Sequence, residues 1–140
     1  MDKNKPEFEM ASLAYNKLKS TGFHVCVELP YQTRFMDLVY INRNGEVVFV
    51  VFELHDWRKG IQKAKSFLTT VDYAYLCIPK SDNPNNDMLS SLRKEGLGLF
   101  FFDKLKEFPL VEFVKPHKSS IINGLQKQHL LKRINDNCSD

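Results

Sequence analysis

The sequence lacks most of the marks that would place it in a familiar class at once. Its three cysteines, Cys26, Cys77 and Cys138, are odd in number, far apart and without a CxxC pair. That argues against a disulfide scaffold and against a zinc ribbon. Cys26 and Cys77 sit inside apolar runs and are expected as small buried hydrophobes, with a reducing cytoplasm as the simplest setting. No apolar run approaches the roughly 20 residues of a membrane span. The opening stretch MDKNKPEFEM has no apolar core of a secretory signal. A Gly-rich phosphate loop, HExxH and GxSxG are all absent. His24, His117 and His129 are scattered, with no metal-ligand spacing. Repeats and low-complexity segments are absent too.

What is present fits one globular α/β domain. A chain of 140 residues can bury a real core, and its apolar and charged fractions, 43% and 26%, are ordinary. The net charge of +3 is small, but Lys115 to Arg133 carries five basic residues and no acid. Such a stretch suits either phosphate tracking or a solvated helix face.

Local pattern gives the order α-β-β-β-α-β-α-β-β-α. Pro6 with Glu7 and Glu9 suits a helix start, and Met10, Leu13, Ala14 and Leu18 recur at helical spacing up to Gly22. Strands are expected over 23–29, 34–41 and 46–55. The run VVFVVFEL in the third reads as a central strand covered on both faces. Asp56 caps an expected helix over 57–70, with the stripe Trp57, Ile61, Ala64, Leu68 and Val71 and Gly60 as its weak point. Strands at 73–78, 97–102 and 110–114 follow, with a short helix capped by Asn86 or Asp87 and running to about Glu95. Ser119 or Ser120 begins a last helix reaching Ile134. Ile121, Ile122, Leu125 and Leu130 would then form an apolar stripe suited to a homodimer. Three consecutive strands imply an antiparallel meander, and the later alternation implies parallel crossovers.

The residues that can carry chemistry lie at the second hairpin. Glu53 and His55, two apart on a strand, share a face. Asp37 joins them only if the loop is the three-residue Arg43-Asn44-Gly45, which pairs Asn42 with Glu46. A two-residue loop would put Asp37 and Glu53 on opposite faces. Two carboxylates held together repel unless a cation neutralises them, and a hard divalent ion with water and phosphate oxygens does so. The bland alternative is a pair of strand-end acids facing solvent or bonded to Arg34 and Lys59.

The stretch RFMDLVYINRNGEVVFVVFELHDWRKGIQKAKSFLTTVDYAYLCIP resembles the core of PD-(D/E)XK nucleases. That family sets an Asp on one hairpin strand and (D/E)xK at the end of the next, then a helix that often carries Gln, then an apolar strand. The resemblance covers roughly residues 6–102. It implies a restriction-endonuclease-like mixed sheet flanked by helices, in a nuclease-like segment 1–114 followed by a basic helix and tail, 115–140. It implies DNA as partner and Mg²⁺ or Mn²⁺ as cofactor. Asp37 and Glu53 match the motif acids. An acid of the first helix, Glu9 before Glu7, would support the ion. His55 stands where the family has Lys, as a ligand or a base, or as the mark of a site that binds without cutting. Lys59 or Lys63 would supply the missing charge. Gln62, Lys63 and Arg34 would face the nucleic acid.

Overall fold

A computed structural model describes residues 6–138. Residues 1–5 and 139–140, the outer ends of the two segments above, lie outside it. The helices are α1 (Pro6–Ser20), α2 (Trp57–Lys65), α3 (Asn86–Glu95) and α4 (Gly124–Cys138). The strands are β1 (His24–Tyr31), β2 (Arg34–Ile41), β3 (Val47–Phe52), β4 (Tyr73–Pro79), β5 (Gly98–Phe102) and β6 (Leu110–Val114). All six strands form one sheet in sequence order. β1, β2 and β3 are an antiparallel meander, β3, β4 and β5 run parallel through α2 and α3, and β6 returns antiparallel. This mixed sheet flanked by helices is compatible with a restriction-endonuclease-like fold, as the element order implied.

β3 is central because every one of its six side chains is apolar and every one is buried. Alternation divides them between two cores. Val47, Phe49 and Val51 pack with Ile61, Ala64, Leu92, Leu130 and Ile134. Val48, Val50 and Phe52 pack with Met10, Ala11, Ala14 and Leu18. So α1 alone covers one face, and α2, α3 and α4 cover the other. Each buried branched or aromatic side chain contributes roughly 1.5–3 kcal/mol, and a strand wet on either face would forfeit half of this.

The C-terminal segment is tied down by charge. Asp72 is 0% exposed. Its carboxylate accepts the Val47 N–H at 2.7 Å and the Lys127 ammonium at 2.9–3.0 Å. Its own carbonyl accepts the Ser119 N–H at 2.8 Å. Lys118 bridges to Glu46 at 3.3 Å. Two of the five basic residues between Lys115 and Arg133, Lys118 and Lys127, therefore pair with internal acids rather than being offered to phosphates.

Three expectations change. α4 begins at Gly124, where the Asn123 carboxamide accepts the Leu125 and Gln126 N–H groups, so Ile121 and Ile122 precede it. Leu130 is buried in the core, and the apolar stripe expected to face a second copy does not form. Cys26 and Cys138 are a disulfide, 112 residues apart in sequence and 5.4 Å apart at Cα. α4 runs back along β1 and brings them together, which spacing along the chain does not reveal. Disulfides persist where thiols are not held reduced, so a reducing cytoplasm no longer follows from the cysteines. Cys77 is free and buried, and burial pushes its thiol up. Among the described residues no helix is long and apolar enough to cross a membrane.

Asp72→Ala leaves the Val47 N–H and Lys127 without their buried acceptor, and the expected loss of stability in urea unfolding is about 3–5 kcal/mol. A loss below about 1 kcal/mol, the scale of an exposed pair, would contradict this role for Asp72.

Candidate active site

The β2–β3 turn sets the site. Asn42 N–H donates to the Glu46 carbonyl at 2.8 Å, and Gly45 N–H to the Asn42 carbonyl at 3.0 Å. Gly45 has φ +77°, a conformation glycine adopts without a Cβ penalty. The Asn42 side chain accepts the Asn44 and Glu46 N–H groups from within. The loop is the three-residue form, and the register runs Ile41↔Val47 to Leu38↔Val50.

Regular pairing ends at Leu38↔Val50, and Asp37 replaces the next backbone bond. Its Oδ2 accepts the Phe52 N–H at 3.1 Å. Its Oδ1 receives the Lys63 ammonium of α2 at 2.5 Å. Asp37 is only 5% exposed, so these two donors offset the cost of burying its charge. The neighbouring ladder is distorted at the same level. Glu28 has φ +50°, a region few non-glycine residues occupy. Cys26 and Leu29, an odd spacing apart, both enter the same core, as do Met36 and Val39. Alternation thus slips where Glu28 and Asp37 stand, and strain of this kind gathers at functional sites. The sequence reading missed Glu28; an acid inside the apolar run VCVELPY was the available signal.

Glu53 follows β3 directly, its N–H bonded to the Cys77 carbonyl at 3.0 Å. Asp56 caps α2 through the Lys59 N–H at 3.1 Å, which brings the helix start over the strand end. Gly60 lets the two approach. A Cβ there would lie 2.5 Å from Leu76 Cδ1 and 3.3 Å from Glu53 Cβ. The glycine that weakens the helix is therefore required by its packing. α2 ends at Lys65, short of residue 70, as Ser66 Oγ donates to the Lys63 carbonyl at 2.6 Å and the chain tightens into turns.

These elements enclose an open cleft of about 690 Å³, lined by Glu7, Glu28, Arg34, Phe35, Asp37, Glu53, Lys59, Gln62 and Lys63 among others. Arg34 is held at its edge, donating to Ser66 Oγ at 2.7 Å with its guanidinium 4.3 Å from the Phe67 ring centre. Of the residues expected from sequence, the cleft collects Asp37, Glu53, Lys59, Gln62, Lys63 and Arg34. Two are not among them. α1 buries Met10, Ala11, Ala14 and Leu18, and at about 100° per residue Glu7 shares that face while Glu9 points away from it. Glu7, not Glu9, reaches the cleft. β3 stops at Phe52 rather than at residue 55, the chain bends, and exposed His55 lines not this cleft but a second cavity, with Trp57, Asn85 and Glu53, which borders both. Glu53 and His55 do not share a strand face.

Burial, then repulsion from Glu7, pushes the Glu53 carboxyl above its usual range, while Lys59 draws it back. Among the described residues no three His, Cys, Asp or Glu form a ready-made metal site. Glu7, Asp37 and Glu53 line the same cleft, and Glu7 repels Glu53. Carboxylate oxygens are the donors a hard divalent cation takes, using one or two of them with waters.

No family model matches the chain, and no curated protein matches it. Among solved structures, a repair endonuclease from Pyrococcus abyssi superposes with a TM-score of 0.55 at 18% identity. The fold of this chain is like that of the matched part of the endonuclease. The superposition takes in 74% of this chain and 49% of the endonuclease, so this chain matches about half of that protein's length. A protein of unknown function from Silicibacter pomeroyi superposes with a TM-score of 0.69 at 13% identity, over 94% of this chain and 85% of that one. At these identities the likeness is one of fold.

Gly60→Ala gains about 1 kcal/mol of helix propensity but forces a Cβ onto fully buried Leu76. Overpacking of that kind costs about 1–3 kcal/mol. The expected net result in urea unfolding is lower stability, and a more stable variant would contradict the packing account.

Proposed function

We propose that the protein is a metal-dependent endonuclease of the PD-(D/E)XK kind, hydrolysing phosphodiester bonds in DNA. The observation that carries this reading is the ammonium of Lys63 on the carboxylate of Asp37, in the cleft that also holds Glu53. The motif Lys position, just past β3, holds His55, and α2 instead supplies the Lys63 cation to Asp37. The nuclease-like fold supports the reading.

Asp37 and Glu53, with support from Glu7, would hold a divalent cation, which would supply Lewis-acid polarisation of the phosphoryl group and activation of a water. Lys63, oriented by Asp37, stabilises the negative charge that grows on the phosphoryl oxygens as the bond breaks. Gln62 has both a donor and acceptors and orients the attacking water or a phosphate oxygen. Arg34, already fixed at the edge, keeps guanidinium protons for a neighbouring phosphate. Lys59 is exposed and draws the polyanion toward the cleft. His55 takes no step.

A second reading is a nuclease-like module that binds nucleic acid or a protein without cutting. It is favoured by Lys63 itself, which already neutralises Asp37 and so takes over part of a cation's task.

Labelled linear, single-stranded and branched DNA, incubated with Mg²⁺ and then Mn²⁺, separates the two. The wild type is expected to cut and Asp37→Ala to cut nothing while keeping its fold by circular dichroism. Lys63→Met is expected to lower kcat by about 100-fold or more, the loss seen when a transition-state donor is removed. Cleavage by Asp37→Ala would refute the assignment. No cleavage by a folded wild type, with binding that falls steeply with salt and needs no metal, would establish the second reading.

A further inference from the structure

We propose that Phe35 is a base-stacking platform beside the cleft, and that the strand entering the site is unpaired where it meets the enzyme. The inference rests on the nuclease reading and names its substrate class.

Phe35 is 54% exposed, the most exposed phenylalanine among the described residues. It lines the cleft with Asp37 and Glu53. Burying a phenylalanine stabilises a fold by roughly 1.5–3 kcal/mol, and a strand position facing water ordinarily holds a polar residue. The fold therefore gains little from this ring as placed. Its position is nonetheless well defined. Phe35 pairs with Pro30 in the β1–β2 hairpin, whose two-residue tip is closed by the Tyr31↔Arg34 pair. Gln32 in that tip has φ +58°. Below the tip, the Tyr31 hydroxyl donates to the Gln126 carbonyl at 3.1 Å.

The neighbour in sequence completes the surface. Arg34 is locked between Ser66 Oγ and the Phe67 ring, and Lys59 and Lys63 line the same cleft. A rigid cationic edge next to an exposed aromatic ring is the arrangement that holds single-stranded nucleic acid, with phosphates on the cations and a base on the ring. Only an unpaired base, or the last base of a helix, offers its face to such a ring. Phe35 is thus a specificity-determining residue, and it makes no contact with the reacting atoms.

The test measures binding by fluorescence anisotropy in an Asp37→Asn background, where cleavage is blocked. The probes are a labelled oligothymidylate of about a dozen nucleotides, the same backbone with abasic sites, and a blunt duplex of equal length. Adding Phe35→Ala is expected to weaken oligothymidylate binding about tenfold while the abasic and duplex probes change by less than about twofold. Phe35→Trp is expected to restore it. Melting temperature checks that the exposed substitution leaves the fold intact. Equal loss on the abasic strand, or no loss on oligothymidylate, would overturn the stacking platform and leave the cleavage prediction above untouched. Failure of the Asp37→Asn parent to bind any of the three probes would overturn it together with the nucleic-acid reading.

Discussion

The site depends on where one ladder stops. β2 and β3 pair regularly as far as Leu38↔Val50, and at the next level the Phe52 N–H turns to a side chain, Asp37, instead of a backbone carbonyl. That exchange opens the sheet at the end of β3 without leaving a buried donor unsatisfied, which would cost about 1–3 kcal/mol. It also fixes the carboxylate. Everything else in the cleft is measured from there: Lys63 reaches Asp37 from α2, Glu53 follows the end of β3, and Glu7 of α1 lines the same cleft. The turn at Asn42–Glu46 holds the register, and a slip of one residue would carry Asp37 to the other face.

β3 has a buried aspartate at each end. Asp72 accepts the N–H of Val47, its first residue, and a lysine from α4. Asp37 accepts the N–H of Phe52, its last residue, and a lysine from α2. The chemistry is the same and the surroundings differ. Asp72 is sealed under the C-terminal segment and serves as a fastening. Asp37 stands at a cleft with other acids, and one of those, Glu53, is already pushed toward its neutral form by burial and by Glu7. An ion pair that only held the fold together would gain nothing from that crowding. This contrast separates the site from the scaffold more clearly than the motif does.

Much of this was legible in the sequence because it followed from short-range rules. The apolar run of β3 fixed its central place, and the Asn-Arg-Asn-Gly turn fixed the register of β2 against β3; Asp37 and Glu53, beyond the regular ladder, line one cleft. The errors came where tertiary contacts decide. Glu7 and Glu9 look alike until the buried face of α1 is known. His55 lies two residues past Glu53, but the chain bends after Phe52 and leaves it out of the cleft that holds Asp37, on a second cavity that Glu53 also borders. Ser66 ends α2 early through its own hydroxyl. Cys26 and Cys138 are 112 residues apart, and no local pattern pairs them. Glu28 was missed because its left-handed backbone is imposed by the hairpin, with no glycine to announce it.

The most direct test of the account is calorimetric titration of Mn²⁺ into the protein and into Asp37→Asn, which keeps an acceptor for the Phe52 N–H while losing the charge. The account predicts one saturable site in the wild type and its loss in the variant, with the fold unchanged. No saturable binding in the wild type, or equal binding by both proteins, would contradict it.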